Sequence, residues 1–103
     1  MGAAAEHDVE HLRSKLHDYM ARHGLRSTEQ RRIVTEKFFS SDGHLSIEDL
    51  LEEVRIDEPR IGYATVYRTL KLLKECGLAF ERHFGDGVSR YEVAWEDEHH
   101  DHL

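Results

Sequence analysis

The sequence predicts a mainly α fold with a small β-hairpin, four helices followed by a two-stranded wing. Three observations carry that expectation. Apolar residues recur at helical spacing in four stretches, each bounded by a capping residue, a glycine or a proline. The C-terminal third switches to strand-like segments on either side of Gly85-Asp86-Gly87. A length of 103 residues with a single cysteine, Cys76, fits one domain around one core and rules out an intrachain disulfide framework.

The first helix is expected from about Asp8 to His23, with Val9, Leu12, Leu16, Tyr19 and Met20 on one face and Gly24 as the stop. Ser27 or Thr28 can cap the second, which turns Ile33, Val34 and Phe38 inward, with the stem of Lys37 as a further candidate, and ends in the cluster Ser40 to Gly43. Ser46 caps the third, with Asp49 at the capping-box position and Ile47, Leu50, Leu51 and Val54 as its buried stripe. Pro59 bars simple continuation. The fourth helix should run from about Tyr63 to Cys76, with Val66, Leu70 and Leu73 inward and Ala64, Tyr67, Arg68 and Lys71 outward, until Gly77 stops it. Leu78 to Phe84 and Val88 to Trp95 read as strands, with Tyr91, Val93 and Trp95 facing in and Arg90 and Glu92 facing the other way.

A net charge of -7 argues against a nucleic-acid partner if the charges are evenly spread. They are not. Residues 60–74 hold Arg60, Arg68, Lys71 and Lys74 without an acid, whereas residues 43–59 hold six acids against Arg55. Charges more than about 8 Å apart are largely screened, so a local basic stripe can still meet phosphate. On charge alone the stripe reads equally as a solvated helix face. No apolar stretch is long enough to cross a bilayer, and the expected location is the cytoplasm. Cys76 reads as a small packed hydrophobe rather than a reactive thiol.

Two helices joined by a short turn and followed by a hairpin make a winged helix-turn-helix. The second helix of such a unit commonly enters the major groove, where arginine reads guanine and a ring or methyl group meets thymine. Arg68 and Tyr67 are placed for those roles. Residues alone leave two alternatives open, a solvated Arg68 and a Tyr67 buried against the wing.

The chain ends Glu98-His99-His100-Asp101-His102-Leu103. Imidazoles mixed with a carboxylate suit zinc, iron or manganese. In an extended segment His100 and His102 face one way and His99 and Asp101 the other, which divides the donors between two incomplete sites. A chance histidine-rich tail is the alternative.

Over residues 24–103 the sequence resembles the ferric uptake regulator family. The resemblance is carried by Gly24 to Arg32, by the segment Ile61 to Leu70 containing Ala64-Thr65-Val66-Tyr67-Arg68, by the wing, and by His99-His100-Asp101-His102-Leu103. It implies that residues 1–95 form a DNA-binding winged helix, and that residues 96–103 are the hinge and start of a metal-binding dimerisation domain. It implies base contacts by Tyr67 and Arg68 and a minor-groove contact by Arg26. Phosphate contacts would come from Arg31, Tyr63 and Thr65, and the outward Lys71 completes the DNA-binding set. His44, Glu92, His100 and His102 would be ligands of the regulatory metal, with His99 and Asp101 in a second site. Without the resemblance His44 is an ordinary loop histidine and Glu92 an exposed strand residue.

The implied protein is no enzyme. It is a metal-responsive repressor that binds double-stranded operator DNA as a homodimer, with Fe(2+) as regulatory metal and Zn(2+) or Mn(2+) as alternatives. Three departures bear on this. Glu98 stands where many members have histidine, the C-terminal domain with its CxxC motifs is expected only in a longer form, and Glu92 stands where peroxide sensors tend to carry aspartate. Rival readings are a zinc, manganese or peroxide sensor of the same family, a metallohydrolase lacking an assignable nucleophile or base, and a winged helix whose basic face meets an acidic protein.

Overall fold

Helix ends in this chain are set by short polar devices that the sequence supplies in place. The computed structural model describes residues 9–41 and 43–95, arranged as α1 (Val9–Arg22), α2 (Glu29–Phe39), α3 (Ile47–Asp57), α4 (Tyr63–Glu75), β1 (Ala79–His83) and β2 (Ser89–Val93). Of the two candidate caps for α2, Thr28 takes the role, its hydroxyl accepting the Arg31 N–H at 3.1 Å. At α3, the Asp49 N–H donates to the Ser46 hydroxyl at 3.0 Å and the Ser46 N–H to Asp49 Oδ2 at 3.1 Å, a full capping box with aspartate in place of the preferred glutamate. Gly24 and Gly77 adopt φ of 63° and 79°, and each lets the chain fold back on its helix. The Leu25 N–H reaches the Met20 carbonyl at 2.9 Å, and the Leu78 N–H reaches the Leu73 carbonyl at 2.8 Å.

The core lies where α2 packs on α3 and α4, with α4 backed by β1. Phe38, Leu50, Val54, Val66, Leu70 and Leu73 are fully buried there. Each such side chain contributes about 1.5–3 kcal/mol on burial, against about 0–1 kcal/mol for an exposed ion pair, so the interior holds the fold. Phe39, absent from the expected inward set, is also buried. The reason is that α2 is covered by two helices at once, which buries a wider arc than one stripe. Lys37 turns its ammonium to Asp57 at 2.9 Å, so its stem lies along the α2–α3 contact.

The turn between α3 and α4 is closed by Glu58, whose N–H bonds the Val54 carbonyl at 2.9 Å, and by Arg55, whose Nε bonds the Ile61 carbonyl at 2.8 Å. Arg55 thereby ties the body of α3 to the residue just before the cap of α4. In the wing, β1 and β2 pair antiparallel from Ala79↔Val93 to His83↔Ser89. Both strands are shorter than expected. Phe84 and Val88 are exposed and belong to the tip, where Asp86 Oδ1 accepts the Val88 N–H at 3.0 Å. At the base, the Ala94 N–H still bonds the Leu78 carbonyl at 3.0 Å, but alternation ends there: Val93 and Ala94 are both buried and Trp95 packs partly against the core. A single antiparallel bridge, Leu45↔Tyr91, adds the loop before α3 to the far edge of β2. The expected segment 96–103 lies outside the described residues.

Candidate functional site

The outward face of α4 carries Tyr63, Tyr67, Arg68 and Lys71, all exposed, with Tyr63 and Tyr67 at 48% and 42%. Tyr67 is therefore not buried against the wing; with Tyr63 it lines a cleft of about 590 Å³ between α4 and the wing, closed on the other side by Glu81, Ser89 and Tyr91. Burial, with Glu81 beside it, pushes the Tyr91 hydroxyl up to about 12, so it stays protonated at neutral pH. Thr65 is half-buried and its carbonyl accepts the Thr69 hydroxyl at 2.7 Å. Arg31 is half-buried and donates to the Arg26 carbonyl at 3.0 Å, which brings these two basic residues together and leaves the Arg26 side chain exposed.

Ion pairing changes the meaning of the basic stripe. Arg60 pairs with Glu58 at 3.3 Å, Lys71 with Glu75 at 3.1 Å and Lys74 with Glu81 at 2.6 Å. The ammonium of Lys74 holds the Glu81 carboxyl below the usual carboxylate range. Among the described residues Arg68 is the one cation of the stripe without a carboxylate partner. The helix also begins without a side-chain cap at Gly62 and without an acid in its first turn, so no side chain of its own neutralises its leading N–H groups. That open end was missed in the sequence, although the glycine before Tyr63 signalled it.

Of the expected metal ligands, the described residues contain two, and the fold joins them. The Leu45 and Tyr91 backbones exchange hydrogen bonds of 2.9 and 2.7 Å. In an antiparallel bridge the flanking residues then stand opposite one another, here His44 and Glu92. His44 Nε2 lies 2.5 Å from Glu92 Oε1. The other carboxylate oxygen, Oε2, accepts from Arg82 Nη2 at 3.0 Å and Nε at 3.3 Å. The Phe84 and His44 rings meet edge to face, with centroids 5.5 Å apart. An imidazole nitrogen and a carboxylate oxygen at one point fit a divalent transition metal as part of a ligand set. No group of three or more candidate donors exists among the described residues. His99, His100, Asp101 and His102 lie outside them.

Arg82 was not singled out in the sequence. It faces Glu92 diagonally across the hairpin, a relation that follows from the strand register and would have been readable only with the register known. Cys76 bears out its packing role: it is half-buried, its thiol bonds the Leu72 carbonyl at 3.1 Å, and burial pushes its pKa up. Among the described residues no helix is long and apolar enough to cross a membrane.

Residues 22–103 match the sequence model of the Ferric uptake regulator family. This chain belongs to that family. It is 42% identical over 89 residues to the ferric uptake regulation protein of Rhizobium leguminosarum bv. viciae, an alignment covering 85% of this chain and 61% of that protein. Its structure is similar to that of the Helicobacter pylori ferric uptake regulator, described as revealing three functional metal-binding sites (TM-score 0.77, 25% identity, 84% of this chain and 58% of the other). It is also similar to a manganese uptake regulator (TM-score 0.67, 36% identity, 79% of this chain and 60% of the other). The four helices and hairpin are thus the family's winged helix. The chain spans about three fifths of the length of the curated relatives it matches.

Proposed function

We propose that this chain is the DNA-binding part of a metal-responsive transcriptional repressor that works in the cytoplasm. The observation that carries the DNA half is the outward face of α4: Arg68 without a carboxylate, Tyr63 and Tyr67 beside it, and an uncapped helix start behind them. Arg68 reads guanine in the major groove, Tyr67 meets a thymine methyl, and the N–H groups at Gly62 and Tyr63 take a phosphate together with Tyr63 and Thr65. Arg26 enters the adjoining minor groove, supported by Arg31. Lys71 contributes to phosphate once Glu75 releases it.

His44 and Glu92 hold the regulatory metal together with His100 and His102, while His99 and Asp101 serve a second site. When bound, the metal supplies a positive centre that cross-links these donors, and its differential binding to the DNA-competent arrangement makes DNA affinity depend on metal. Iron sensing rather than peroxide sensing is the reading drawn from Glu92, which stands where peroxide sensors tend to carry aspartate. Manganese is the second, favoured by the likeness to a manganese uptake regulator. The whole protein acts as a homodimer on two half-sites, by binding and not by catalysis.

The test is fluorescence anisotropy on an operator selected from randomised duplexes, with and without Mn²⁺ as an air-stable substitute for Fe²⁺, at several salt concentrations. Metal-dependent, salt-steep binding by the full-length protein is expected, with weak and metal-indifferent binding by the 103-residue chain. Affinity that is independent of metal in both forms overturns the switch. Binding that ignores DNA sequence overturns the reading role of α4.

A further inference from the structure

We infer that Arg82 is a positioning residue of the metal centre, restricting Glu92 to one available oxygen; this rests on the metal reading of His44 and Glu92. Arg82 sits on β1 and its guanidinium is fixed on two sides. It lies 5.5 Å from the centre of the Phe80 ring, and it gives Nε and Nη2 to the same oxygen of Glu92. The second oxygen, Oε1, is left pointing at His44 Nε2. The carboxylate thus presents one lone oxygen in direct contact with one imidazole nitrogen.

Two effects of Arg82 on an incoming cation oppose each other. Its charge repels the metal, while its hydrogen bonds hold the ligand in place. The charge is weakened because the Arg82 side chain is 53% exposed and water and salt screen it. The hydrogen bonds are short-range, and they act on a Glu92 side chain that is only 22% exposed, so positioning wins. Groups that orient a ligand in this way set metal affinity without touching the metal.

The restriction also carries selectivity. A carboxylate limited to one oxygen suits a four-coordinate ion such as Zn²⁺, which gains nothing from a second oxygen. Mn²⁺ prefers more oxygen donors and can use both. Freeing Glu92 from Arg82 therefore shifts preference from Zn²⁺ toward Mn²⁺.

Isothermal titration of the chain with Zn²⁺ alone and with Mn²⁺ alone tests this on wild type, Arg82→Met and Arg82→Lys, with circular dichroism to check folding. Arg82→Met is expected to weaken Zn²⁺ binding about tenfold. Mn²⁺ binding should weaken less, so the Zn²⁺ to Mn²⁺ affinity ratio falls, a change that a purely structural role would not produce. Arg82→Lys keeps the charge without the fork and should fall between, and it carries the test if the methionine variant does not fold. Affinities that stay unchanged or rise together in Arg82→Met, or a lysine variant equal to wild type, overturn the inference alone. A wild-type chain that binds neither metal overturns the metal reading and the inference with it.

Discussion

The outward face of α4 and the His44–Glu92 pair are built in opposite ways. The face is local: thirteen consecutive residues, one helical period and two end signals determine which side chains look out. The pair is assembled from a loop and a strand on opposite sides of the helix-turn-helix, and a single backbone bridge places one residue against the other. A site made locally survives small changes in packing as long as its helix persists. A site made by tertiary pairing is only as well ordered as the contact that joins its halves.

The largest test removes the support the two share. Leu70 is fully buried on the inward face of α4, and Leu70→Ala should cost about 2–5 kcal/mol in urea unfolding and weaken DNA and metal binding together. A loss below about 1 kcal/mol would mean that α4 is held from elsewhere. Next in size is Arg68→Ala, expected to cost about 1–3 kcal/mol per half-site on a selected operator and much less on random DNA. Metal titration of the same variant should be unchanged; equal losses on both DNAs would remove Arg68 from base reading. Ser46→Ala breaks the capping box next to Leu45 and should cost about 1 kcal/mol of stability. Its signature is weaker metal binding at unchanged operator preference, and the reverse pattern would show that the bridge does not depend on the cap.

The smallest effect is a control that touches neither site. Arg13 grips Glu36 at 2.6 Å, anchoring α1 to α2, and holds the Glu36 carboxyl below its ordinary range. A depressed folded-state pKa gives stability that is present above the unfolded value of about 4.3 and is lost as pH falls through the lower folded value. Glu36→Gln should therefore flatten the acid limb of the stability curve below about pH 4.3 and leave DNA and metal binding at neutral pH alone. A variant with the wild-type acid limb would remove this pair from the acid response.

The same contrast explains what could be read from the chain. All four helices, the Ser46–Asp49 capping box and the outward set on α4 follow from neighbours within a turn or two, and the structure has them. The basic stripe was legible as residues but not as charge. Lys71–Glu75 lies within one helix, but Lys74–Glu81 depends on how β1 returns along α4, and only the pairing reveals that Arg68 stands apart. Phe39 was missed because one helix meeting two partners exceeds a single stripe. His44 and Glu92 were marked by family likeness alone. Nothing in their local sequence records the register that joins them, and Arg82 needed the same register to be seen.

The Leu45–Tyr91 bridge also has a consequence in time. Its two residues stand almost half the chain apart, so its closure waits on the helices between them and on the hairpin, the slowest kind of contact for a chain to find. A refolding chain would present its recognition helix early and its paired donors late. Pulse-labelled hydrogen exchange should find the amides of Leu45 and Tyr91 protected after those in the middle of α4. In that order of events a metal ion bound at this pair stabilises the folded domain rather than starting its folding.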